Sequence, residues 1–85
     1  MNVLIPSPLL SYTKTNRVEA KGGTMAEVLL DLDRQFPGLR FRVIDELDRM
    51  RPHMRFFVNG KQVYDLAVAL KADDSIHIVQ ALSGG

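Results

Sequence analysis

An apolar stripe at helical spacing runs through the first half of this 85-residue chain and has to be buried. Residues recurring every three or four positions lie on one face of a helix. The stripe consists of Met25, Val28, Leu29, Leu32 and Phe36. Thr24 with Glu27 three residues later forms a capping box that begins a helix, and Pro37-Gly38 ends it. The apolar face of such a helix has to pack against another element, and a sheet can provide that surface.

Most of the remaining chain is typical of strands. "MNVLIP" and "RVEAKGG" predict two strands that can pair as a hairpin. "MRFFVNGKQVY" predicts a second hairpin, because Asn59-Gly60 is a favoured dipeptide for a type I′ turn. "SIHIVQA" predicts the last strand. Between helix and second hairpin, Val43, Leu47 and Met50 could form a short helical stripe, although Pro52 and the dense charges favour a connector. We therefore predict an α+β fold, with a mixed sheet of four to five strands packed on one main helix.

Strand alternation predicts two faces for that sheet. A two-residue turn at Asn59-Gly60 places Phe56 opposite Val63 and Phe57 opposite Gln62. The predicted core face carries Met54, Phe56, Val58, Val63, Ile76 and Ile78. The other face carries Phe57, His77, Val79 and Ala81, which we predict to bind a partner, and Leu9 or Leu10 could join them from the first loop. Isolated exposed hydrophobic residues are common, so a docking patch competes with an ordinary surface.

Composition argues against several classes of function. Eleven basic and ten acidic side chains leave a net charge of +1, which disfavours a nucleic-acid binder. No apolar run approaches membrane-spanning length, and the N-terminus does not resemble a signal peptide, so we expect a cytoplasmic protein. The chain has no cysteine, which excludes disulfides and thiol catalysis. No phosphate-binding motif or local metal motif is present, so we expect no metal and no ATP site in the chain itself.

The chain ends in "SIHIVQALSGG", with glycine at positions 84 and 85. We predict a domain over residues 1–81 followed by a flexible tail over residues 82–85, since termini without anchoring side chains are usually mobile. Four residues reach about 13 Å at roughly 3.3 Å each, enough to enter a pocket of a partner. Glycine suits a narrow channel because it has no Cβ. We therefore predict that the carboxylate of Gly85 is the reactive group.

Three stretches resemble the ThiS/MoaD family of ubiquitin-like sulfur carriers: "FPGLR", "FFVNGKQV" and "ADDSIHIVQALSGG". The hairpin and the ending also resemble ubiquitin, and the opening "MNVLIPSPLL" is most similar to the carrier that serves a cysteine synthase. The resemblance covers essentially the whole chain and implies a ubiquitin-like β-grasp fold. The departures are Asp73-Asp74, where the family often has Asp-Gly, and the absence of a proline near Gln80.

The resemblance also implies a carrier rather than an enzyme. In that family an E1-like enzyme uses ATP to adenylate the terminal carboxylate, here that of Gly85, and a sulfur donor converts it to a thiocarboxylate. Leu82, Ser83 and Gly84 would enter the partner with it. The acceptor would be a thiazole synthase, the large subunit of molybdopterin synthase or a cysteine synthase. Two alternatives stay open: a ubiquitin-like modifier joined to lysines through Gly85, or the small subunit of a molybdopterin-synthase-type complex.

Overall fold

A computed structural model describes residues 1–81, and the predicted tail at 82–85 lies outside the described residues. The strands are β1 (Asn2–Leu4), β2 (Arg17–Glu19), β3 (Met54–Val58), β4 (Lys61–Val63) and β5 (Ser75–Gln80). The helices are α1 (Leu10–Thr13), which follows a 3₁₀ turn at Ser7–Leu9, α2 (Met25–Gln35) and α3 (Leu39–Val43). The strand order is β2-β1-β5-β3-β4, with β1 and β5 parallel and every other pair antiparallel. The predicted mixed sheet is confirmed, with five strands.

Helix α2 begins where the capping pattern predicts. The Thr24 hydroxyl oxygen accepts a hydrogen bond from the Glu27 N–H at 3.2 Å, and the Glu27 carboxylate accepts one from the Gly23 N–H at 2.7 Å. Capping of these amides satisfies donors that have no partner within the helix. The first four residues of the predicted stripe are completely buried, and Phe36 is partly buried at the helix end. They share one core with inward-facing sheet residues, including Val3, Phe56, Ile76 and Ile78.

The second hairpin has the predicted register. Phe56 lies opposite Val63 and Phe57 opposite Gln62, and the turn residues Asn59 and Gly60 both have positive φ (51° and 83°). The Asn59 side chain also joins this turn to the start of β5: its amide donates to the Asp74 carboxylate and its carbonyl oxygen accepts from the Ser75 N–H, both at 2.9 Å. A hydrogen bond from the Lys71 backbone N–H, and a weaker contribution from the Asn59 side-chain hydrogen bond, hold the pKa of the Asp74 carboxyl below its ordinary value.

The segment between α2 and β3 is a connector, as predicted, although it begins with the short helix α3. No helical stripe joins Val43, Leu47 and Met50, because α3 ends at Val43 and the Leu47 side chain is 65% exposed. The Asp45 carboxylate accepts hydrogen bonds from the N–H groups of Leu47 and Arg49, at 2.9 and 3.0 Å. Such bonds from an aspartate to nearby backbone compete with helix formation, and here they stabilise a turn.

The first loop contradicts the prediction that Leu9 or Leu10 joins the outer face. Leu9 is completely buried and Leu10 packs against the core, so neither leucine joins the outer face of the sheet. The 3₁₀ turn and α1 direct both side chains inward, leaving Ser7 and Pro8 exposed. Within residues 1–81, no helix is both long enough and apolar enough to cross a membrane.

Candidate functional site: the outer face of the sheet

A row of side chains crosses the face of the sheet that points away from the core. Leu4 in β1 lies opposite His77 in β5, which lies opposite Phe57 in β3. Paired residues project to the same side of a sheet, so these three side chains are neighbours. The Phe57 and His77 rings are tilted at 50°, with centroids 6.5 Å apart. Val79 adds to the row from the next outward position of β5. The structure therefore brings together the predicted residues Phe57, His77 and Val79.

This outer face is apolar but does not belong to the core. Phe57 and Val79 are partly buried and His77 is exposed, while none of them packs against the core cluster that contains Phe56. A shallow groove of about 470 Å³ runs over the face, and its lining includes Leu4, Phe57, His77 and Val79. A groove of this kind can accept an apolar side chain from another protein.

A second groove leads from the outer face towards the C-terminal end of β5. It has a volume of about 640 Å³ and shares His77 and Val79 with the first groove. Its other lining residues are Pro6, Ser7, Pro8, His53, Ile78, Gln80 and Ala81. The Ala81 N–H donates a 2.7 Å hydrogen bond to the His53 carbonyl, which continues the β3–β5 pairing beyond Gln80. Ala81, the last described residue, is thereby held beside the outer face. We use "docking face" below for Leu4, Pro6, Phe57, His77, Val79 and Ala81.

Three residues that line the grooves were not predicted from the sequence: Leu4, Pro6 and Pro8. Alternation along the first strand places Leu4 on the face opposite to Val3 and Ile5, so the sequence alone predicts its outward direction. Nothing local indicated that β1 pairs with β5 in parallel, and that pairing places Leu4 next to His77. Pro6 and Pro8 follow β1, and prolines at that position indicate only where a strand ends.

The other predicted site residues belong to the tail. Leu82, Ser83, Gly84 and Gly85 lie outside the described residues. His53 and His77, far apart in the sequence, line the same groove. In the described part of the chain, however, no group of three or more histidine, cysteine or acidic side chains could hold a metal ion. Most of the described residues that line the two grooves are apolar, which suits the binding of another protein.

Comparison with known proteins identifies the family. The ThiS family model matches residues 3–85. The chain belongs to the ThiS family. The curated sulfur carrier protein CysO of Mycobacterium tuberculosis (strain H37Rv) is 31% identical to this family member over an alignment of 91 positions, which covers 100% of this chain and 98% of the relative.

Two crystal structures show the same fold as this ThiS-family chain. A chain of the Amycolatopsis orientalis BexX/CysO complex has a TM-score of 0.91 and 30% identity, covering 99% of this chain and 98% of that one. Mycobacterium tuberculosis CysO has a TM-score of 0.90 and 29% identity, covering 95% and 98%. The predicted ubiquitin-like β-grasp fold and the predicted family are therefore both confirmed.

Proposed function

We propose that this chain is a sulfur carrier protein that presents the carboxylate of Gly85 for activation and binds its partners through the docking face. One observation carries the proposal: the family match extends to residue 85, so that the diglycine ending lies within the matched region. The relatives named as sulfur carriers align along essentially the full length of both chains, which supports the same role. The chain would act as a protein cosubstrate in the cytoplasm and would bind no cofactor by itself.

The proposed chemistry takes place on one carbonyl carbon. A carboxylate is a poor electrophile, so an E1-like enzyme first joins an oxygen of the Gly85 carboxylate to the α-phosphorus of ATP and releases pyrophosphate. Hydrosulfide then attacks the carbonyl carbon of the acyl-adenylate, and AMP leaves with the bridging oxygen. The resulting thiocarboxylate is a soft sulfur nucleophile. After its sulfur bonds to an electrophilic acceptor, water attacks the acyl carbon and releases the acceptor with the sulfur, which restores the carboxylate.

The docking face would hold the carrier while its end reaches the partner's active site. The hydrogen bond between Ala81 and His53 holds the last described residue in the groove that Val79 also lines, so a partner bound there would also lie near the reactive end. The CysO of the Amycolatopsis orientalis structure was crystallised in a complex with BexX, and we propose that this chain likewise forms complexes with other proteins. Resemblance of the opening residues favours a cysteine synthase as the acceptor over a thiazole synthase or the large subunit of molybdopterin synthase.

Intact-mass spectrometry tests the proposal. The chain is incubated with a cognate E1-like enzyme, ATP and sulfide, and a control reaction omits ATP. We expect a product heavier by the mass difference between sulfur and oxygen, with the change confined to Gly85 in fragment spectra, and no change without ATP. Incubation of the product with each acceptor synthase then identifies the one that removes the sulfur.

Two other outcomes would overturn the proposal in favour of the alternatives. Conjugates in which Gly85 is joined to lysine side chains, with no thiocarboxylate, would indicate a protein modifier. A stable complex with a large synthase subunit that carries out the whole reaction would indicate a synthase subunit instead.

A further inference from the structure

The docking face is bordered by arginine and is poor in carboxylates. Arg17 in β2 lies opposite Leu4, and Arg55 in β3 lies opposite Val79, so both arginines project from the outer face beside the apolar row. Glu19, at the opposite end of β2 from Arg17, is the only acidic residue in the five strands, and its carboxylate lies 3.6 Å from the Met1 amine. All other acidic residues lie in α2 or in the segments between elements. Although the net charge of the chain is close to zero, the acidic side chains are therefore concentrated away from the sheet.

Arg17 and Arg55 lack the ion pairs that three other arginines form, and they lie in strands, whereas Arg42 and Arg51, also without an ion pair in the described residues, do not. Arg34 is paired with Asp31, Arg40 with Asp48 and Arg49 with Asp45. Arg17 and Arg55 form no ion pair with any carboxylate in the part of the chain that the structure describes. An exposed guanidinium with no counterion in its own chain can pair with a carboxylate of a partner.

Arg55 is held in a defined position. Its Nη1 donates to the carbonyl oxygens of Pro52 and Met54, at 2.7 and 2.9 Å. Within residues 1–81, its Nε and Nη2 form no hydrogen bond. Side-by-side N–H groups of this kind match the two oxygens of a carboxylate, and the fixed side chain has less rotational freedom to lose on binding.

We propose that the docking face selects a protein partner whose contact surface has an apolar centre flanked by carboxylates. Arg17 and Arg55 would form ion pairs with those carboxylates. The inference rests on the proposed carrier function and adds the chemistry of the partner. Phe57 and Val79 supply apolar contact area, whereas the arginines accelerate encounter and set the orientation of the complex. Arg55 in addition slows dissociation, because its pair with a carboxylate is bidentate.

Association kinetics with the cognate E1-like enzyme test whether Arg17 and Arg55 pair with carboxylates of the partner. The rate constants are measured at several salt concentrations for the wild type, Arg17→Gln, Arg55→Gln and the double variant. We expect each single variant to lower the association rate about threefold at low salt and the double variant about tenfold, with a weaker salt dependence, as for charges that steer encounter. Arg34→Gln on α2 removes the same charge away from the face and should leave both rate constants unchanged.

Arg55→Lys separates charge from geometry. Lysine retains the positive charge but cannot form the bidentate pair, so we expect a normal association rate and a dissociation rate raised about threefold. Thermal unfolding of each variant checks that the fold is intact.

The outcomes distinguish the two proposals. If the enzyme binds and activates the wild-type chain but the arginine variants associate like Arg34→Gln, the charge inference is wrong and the carrier function stands. If the enzyme neither binds nor activates the wild-type chain, both are wrong.

Discussion

Phe56 and Phe57 are adjacent in β3 and differ only in the face on which they lie. Phe56 is completely buried under α2, and Phe57 projects from the docking face. We expect Phe56→Ala to lower the free energy of unfolding by about 3–5 kcal/mol, because it leaves a cavity in the core. We expect Phe57→Ala to leave the fold nearly as stable and to weaken binding of the activating enzyme by at least about 1 kcal/mol.

Chemical denaturation and titration calorimetry measure the two effects separately. Each phenylalanine serves as the control for the other, since the same number of atoms is removed from neighbouring positions. A Phe57→Ala variant that binds the enzyme with wild-type affinity would show that the outer face is an ordinary surface. That result would not bear on the proposed reactive role of Gly85.

The junction between β2 and α2 depends on a close approach of backbone to backbone. A Cβ at Gly22 would lie 2.7 Å from the Val28 nitrogen, and these backbone atoms cannot move away by a side-chain rotation. Gly60, in the hairpin turn, also has positive φ but open space around it. We expect Gly22→Ala to cost about 3 kcal/mol or more, at the upper end of overpacking effects. Gly60→Ala should cost about 1–2 kcal/mol, from backbone strain alone.

Urea denaturation of both variants checks this difference between the two elements. Gly22→Ala should also reduce helical circular dichroism, since relief of the clash has to displace the start of α2. Equal losses of stability in the two variants would contradict the close approach at Gly22.

At the scale of the whole molecule, folding and activation should be separable. Every residue of the described core lies between Val3 and Leu70 or in β5, so the core is complete before Ala81. We expect deletion of Gly84 and Gly85 to change the free energy of unfolding by less than about 0.5 kcal/mol, the usual range for sites away from the core. The same deletion should abolish adenylation, because the new terminal carboxylate ends short of the active site of the enzyme.

Gly85→Ala is the matched variant for this deletion. It retains the length of the chain and adds one methyl group, so we expect a stable fold and slower adenylation. Pyrophosphate release measures the rate. Adenylation of the shortened chain at the normal rate would refute the central role of the diglycine ending.

Much of the architecture was predictable because its causes are local. The 3.6-residue period and the Thr24 cap predicted α2, and the Asn59-Gly60 dipeptide predicted the hairpin together with its register. Register and alternation then placed Phe56 inward and Phe57 outward, without knowledge of any other strand. The connector was less predictable in detail, because the Asp45 carboxylate accepts hydrogen bonds from the backbone N–H groups of Leu47 and Arg49, and these bonds stabilise a turn in place of a weak helical stripe.

The amino-acid sequence by itself determined the main helix, the strands and their faces, and the diglycine ending on which the proposed reactive role of Gly85 depends. Only the tertiary structure decided how distant segments meet. The parallel pairing of β1 with β5 places Leu4 beside His77, and the 3₁₀ turn buries Leu9 while Pro6 lines the groove. The pairing of β2 with β1 brings Arg17 to the edge of the same face. These contacts join residues far apart in the chain, and their energies depend on packing and strand order, which no local pattern of residues encodes.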